Sequence, residues 1–66
     1  MKREYLVGSM TPNGREFWDD WSYKTFAEAA RAYRATKAHA KRGVVVMLDF
    51  VEPNGTSGSI WRKEIK

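Results

Sequence analysis

The chain contains no cysteine. Disulfides, thiolate metal sites and thiol nucleophiles are therefore excluded, and the absence accords with an intracellular setting. Histidine is nearly as scarce: His39 stands alone, without the second ligand or the nucleophile that metal binding or general-base chemistry requires. Long apolar runs are missing too. The longest, Val44–Leu48, has the length of a strand and falls far short of the roughly 20 residues of a membrane span or the ~7–15 of a signal peptide. There is no Walker loop, no Rossmann glycine pattern and no metalloprotease pair. The reading is one domain over residues 1–66, starting at its initiator Met and cytoplasmic, with no membrane partner, no cofactor and no metal. It is not an enzyme: a chain of 66 residues has little volume for a substrate pocket of about 300–1,000 Å³.

Aromatic bulk and positive charge are present instead. Three Trp, three Tyr and three Phe are more than so thin a core hides easily. The formal net charge is +4, and its position is informative. Thr25 to Arg42 holds five basic residues and one acidic, while the rest of the chain holds seven of each. A basic segment of this kind points to nucleic acid, an acidic protein or an anionic surface.

Two Pro-Asn-Gly triplets, Pro12-Asn13-Gly14 and Pro53-Asn54-Gly55, carry the chemistry of hairpin loops with a glycine bulge. Strand-like residues flank both: Glu4–Met10 and Arg15–Tyr23, then Val44–Glu52 and Ser57–Ile65. Between the hairpins, Thr25 and Glu28 read as a capping box. Seven alanines favour a helix, Lys41 and Arg42 fall in its last turn, and Gly43 ends it. Phe26, Ala29, Ala30, Tyr33 and Ala40 share its core face, with Lys37 interrupting. The expected fold is α+β: a four-stranded antiparallel sheet of two hairpins with one helix packed on a face, in the order β-β-α-β-β. Both faces of the Val44–Val51 strand are largely apolar, which makes it central. The second sheet face is then either exposed and aromatic or covered by another chain.

Two surfaces are candidates for partner binding. Ala27, Arg31, Arg34, Ala38 and Lys41 fall in one helical stripe with Arg42 beside it. The alanines permit close approach and the arginines bidentate contact with phosphate or carboxylate; the same pattern also suits an ordinary solvated face. Trp18 and Trp61 are the aromatics most suited to a stacking platform or protein hot spot, whereas Trp21, Tyr23 and Phe50 read as core. Asp19-Asp20 reads as edge charge that discourages aggregation.

The run TFAEAARAYRATKAHAKRG, Thr25–Gly43, resembles the helix of plant ethylene-response-type DNA-binding domains. In that family three strands precede the helix and read the major groove. Here two precede and two follow, so the resemblance stops at the helix. In format, a cysteine-free domain with a small antiparallel sheet on one helix is similar to small phage-encoded anti-CRISPR proteins of type I systems. That resemblance implies a non-catalytic inhibitor that docks on a host nucleoprotein complex. The alternative is a protein that binds DNA or RNA directly through the basic helix and exposed aromatics. A homodimer through the second sheet face or an edge strand is compatible with either.

Overall fold

The computed structural model describes residues 2–66. Five elements follow in order: β1 Glu4–Met10, β2 Glu16–Trp18, α1 Phe26–His39, β3 Val45–Val51 and β4 Ser57–Glu64. The sheet is antiparallel throughout, in the spatial order β2-β1-β3-β4. This is the α+β fold expected, with two hairpins and β3 in an inner position.

Both hairpin turns follow the Pro-Asn-Gly chemistry. The Gly14 N–H donates to the Thr11 carbonyl at 2.9 Å and the Gly55 N–H to the Glu52 carbonyl, also at 2.9 Å. Gly14 and Gly55 take φ of 90° and 92°, the left-handed region that closes such a loop without a Cβ clash. The helix start is equally local. Thr25 is extended (φ −125°, ψ 151°), and its Oγ1 accepts from the Glu28 N–H at 3.2 Å. The Thr25 hydroxyl in turn donates to Glu28 Oε1 at 2.9 Å.

Strand alternation sets the two faces of the sheet. Val7, Val46 and Leu48 face α1 and pack with Ala29 and Tyr33 as the buried core. A β-bulge at Leu48/Asp49 lets β4 carry one extra residue. Ile60 packs on the core and its neighbour Trp61, opposite Leu48, touches Tyr33. The other face carries Leu6, Gly8, Met10, Val45, Met47 and Val51, and no helix. Met47 is nonetheless 0% exposed.

Three sequence expectations change. The helix ends at His39, and Ala40 is already extended (φ −76°, ψ 145°). Lys41 and Arg42 therefore lie beyond the helix, not in its last turn, and the expected stripe loses both. The cause is tertiary: Gly43 N–H donates to the Ile65 carbonyl at 2.7 Å and Ile65 N–H to the Val44 carbonyl at 2.8 Å, so pairing with the end of the chain draws residues 43–44 out of helical geometry. A turn from Lys41 to Val44 (3.1 Å) absorbs the change of direction.

The second strand is three residues long, not the nine of Arg15–Tyr23. After Asp19, whose N–H still donates to the Val7 carbonyl at 2.9 Å, residues 20–22 leave the ladder, which resumes only as an isolated Tyr5–Tyr23 bridge. The excursion is pinned by Tyr23 OH donating to Asp19 Oδ2 and Ser22 Oγ donating to Glu4 Oε1, both at 2.7 Å. Trp21, expected in the core, rides on it and is 62% exposed.

Candidate partner-binding surface

On one flank of α1 the helix and β4 form an open groove of about 330 Å³ lined by Tyr33, Arg34, Lys37, Trp61 and Lys63. Its residues meet for simple reasons. Tyr33 and Lys37 are one helical turn apart. Trp61 and Lys63 are two apart on β4, paired with Leu48 and Val46 on the helix side of the sheet. Arg34 lies one step round the helix from Tyr33.

The floor is aromatic. The Trp61 ring lies 5.1 Å from Phe26 at 70° and 5.2 Å from Tyr33 at 54°, and Phe26 lies 5.8 Å from Tyr5 at 70°. Edge-on packing of this kind fixes the rings by quadrupole complementarity and buries part of each. Trp61 remains 36% exposed and Phe26 40%. Lys37 Nζ stands 5.9 Å from the Tyr33 centroid, at the limit of a cation–π contact. Burial holds the Tyr33 phenol above its ordinary pKa, so it stays neutral beside these cations. The ion pairs among the described residues, Arg3–Glu52 and Arg62–Asp49, leave Arg34, Lys37 and Lys63 without a carboxylate partner.

Ala27, Arg31, Arg34 and Ala38 are all exposed on α1, and Arg34 joins their stripe to the groove. Lys41 and Arg42 are exposed in the turn past the helix end. Trp61 belongs to the helix side, so it forms no common surface with Trp18. The Trp18 ring lies against Gly8 on the opposite face, half-buried, with its indole N–H donating to Glu16 Oε1 at 3.0 Å. Sequence reasoning missed Lys37 and Lys63 as site residues. Lys37 was visible as a cation on an apolar helix face, and Lys63 as the i+2 neighbour of Trp61, but their convergence depends on how α1 lies over β1 and β3, with Phe26 and Tyr33 reaching across to Trp61 of β4.

The opposite flank of α1 has a more apolar groove of about 430 Å³ lined by Ser9, Ala35, Thr36, His39, Ala40 and Val44. His39 is exposed there. Phe17, cross-strand from Ser9, is 52% exposed. Asp19 is committed to Tyr23, and no group of three or more metal-ligating side chains occurs among the described residues. No helix is long and apolar enough to cross a membrane. Compared with known protein families, curated proteins and solved structures, the chain matches none.

Proposed function

We propose that this protein is a non-catalytic binding protein whose partner is nucleic acid held on the α1–β4 flank. The observation that carries the reading is the convergence of Arg34, Lys37 and Lys63 on the floor of Tyr33 and Trp61. Unpaired cations beside accessible aromatic surface suit a ligand that alternates phosphates with planar bases. Arg31 extends the same positive field along the helix. Fluorescence anisotropy with labelled DNA and RNA at low salt tests this. Binding that weakens at least about 10-fold in the Arg34→Glu/Lys37→Glu variant supports it, because each lost phosphate contact removes a salt-dependent increment of affinity. No binding to any nucleic acid sinks it.

A second reading is favoured by a different observation. Trp21 and Phe17, 62% and 52% exposed, project at the β2 edge, away from the basic flank, and exposed aromatics are the usual anchors of protein interfaces. In that reading the chain is an inhibitor, in the format of the small phage-encoded anti-CRISPR proteins, that docks on a host nucleoprotein complex. Capture of a defined complex that survives nuclease and is lost with Trp21→Ala would favour it over direct nucleic-acid binding.

A further inference from the structure

We infer that the α1–β4 groove takes a single strand in preference to a duplex, with one unpaired base against Trp61 and the flanking phosphates on Arg34, Lys37 and Lys63. This rests on the reading of the flank as a nucleic-acid surface and specifies what it grips. The cations belong to two elements, α1 and β4, and border one aromatic floor. Tyr33 is buried, and Trp61 is held between Phe26 and Tyr33 with part of its surface open. It is a preorganised stacking partner, not a mobile side chain. In a duplex both faces of every base are already stacked, and only base edges and phosphates are offered. In a single strand the π-face and its own phosphates lie within one nucleotide of each other, which matches the groove.

The structure also presents the rival arrangement. The outer stripe Ala27, Arg31, Arg34 and Ala38 has the small residues and arginines with which a helix could enter a major groove. The two modes share Arg34 but separate at Arg31 and Trp61, and that separation defines the test.

The assay compares a short oligothymidylate, the matching duplex with oligodeoxyadenylate, and polyglutamate at about 50 mM salt, where phosphate contacts are strong. The host protein carries Trp18→Phe and Trp21→Phe, so that emission reports Trp61 alone. The expected result is binding of the single strand about 10-fold or more tighter than the duplex, with Trp61 emission quenched on saturation. Trp61→Ala should weaken single-strand binding by roughly 5- to 150-fold, the range of one base–aromatic stack, while Trp61→Phe retains most of it. Because Trp61 also packs on Phe26 and Tyr33, Trp61→Phe and the emission of native Trp61 keep the test decisive if Trp61→Ala unfolds. Duplex bound as tightly as single strand, with Arg31→Glu abolishing binding and Trp61 emission unchanged, overturns the inference and leaves the nucleic-acid reading standing. Polyglutamate bound as tightly as the oligonucleotide overturns it as well, by showing that charge alone suffices. No binding of either nucleic acid overturns both.

Discussion

Gly8 occupies a position where no side chain fits. A Cβ there would lie 2.5 Å from Trp18 Cε3 and 2.6 Å from the Phe17 carbonyl oxygen. The indole could swing aside, but the carbonyl is backbone of the paired strand and can retreat only by opening the β1–β2 ladder. Gly8→Ala is therefore expected to destabilise the fold by about 1–3 kcal/mol, the usual range for overpacking, and the measurement is urea unfolding. A variant as stable as the parent would show that Trp18 does not rest on Gly8. A glycine inside a strand often marks close approach of another group. What approached it was not legible, because the Gly8–Trp18 pairing is set by hairpin register and not by either residue alone.

Tyr23 makes a second residue-scale prediction. Its phenol is held above the ordinary value, first by burial, then by the hydrogen bond to Asp19 and the charge of that carboxylate. Tyr33 is raised by burial. A tyrosine that binds its proton more tightly when folded contributes no pH dependence below the unfolded pKa of about 10, where both states are protonated. As pH rises past that value the unfolded chain ionises first, and stability falls until the folded phenol ionises too. Stability should thus decline on the alkaline side above about pH 10. Tyr23→Phe should flatten the decline, and Asp19→Asn should bring the Tyr23 phenolate absorbance titration back toward ordinary pH. An alkaline slope identical in the parent and Tyr23→Phe would refute the assignment.

At the scale of elements, the features fixed by neighbours in the chain were readable and those fixed by distant partners were not. The hairpin turns and the Thr25–Glu28 cap depend on three or four adjacent residues, and each occurs where its residues stand. Thr25→Ala should cost about 1 kcal/mol in thermal or urea unfolding, and Thr25→Asp should restore most of it, since either oxygen can satisfy the N-terminal N–H. Equal stability of the parent and Thr25→Ala would mean that water caps the helix as well as Thr25 does. The far end of the helix behaved differently. Ala40-Lys41-Arg42 has good helix-forming residues, and propensity alone carries the helix to Gly43. Two hydrogen bonds with Ile65 override it. The break in the second strand has the same kind of origin: Arg15 to Tyr23 reads as one strand, but the contacts of Asp19 with Tyr23 and Ser22 with Glu4 hold residues 20–22 out of line. The site was half legible for this reason. Arg34 and Trp61 were visible one by one, whereas Lys37 and Lys63 joined them only once α1 lay over β1 and β3 with its flank toward β4.

The whole molecule separates its charge along the sheet. The order β2-β1-β3-β4 sets Arg15, Glu16, Asp19 and Asp20 at the β2 edge, while β4 carries Arg62, Lys63 and Glu64 and the flank of α1 beside it carries Arg34 and Lys37, with Arg31 on the adjoining helix face. Acidic residues thus outnumber basic ones at the β2 edge and basic ones outnumber acidic ones on the β4 side, which orients a polyanion toward the β4 side before contact. The polarity has a measurable consequence. If Arg31, Arg34, Lys37 and Lys63 each displace one condensed counterion from a single strand, log K against log salt should fall with a slope of about −3, from roughly 0.7 per phosphate. Lys63→Glu should reduce the slope by about one phosphate's worth and weaken binding across sequences alike, because a lysine–phosphate contact carries no base information. Asp20→Lys, which adds positive charge at the opposite edge, should leave the slope unchanged, since screening confines exposed charges to about 10 Å at ordinary ionic strength. Affinity measured over a salt series for the parent and these two variants decides the matter. A slope near zero, or one that steepens with Asp20→Lys as much as it flattens with Lys63→Glu, would mean that no phosphate track runs along the β4 flank.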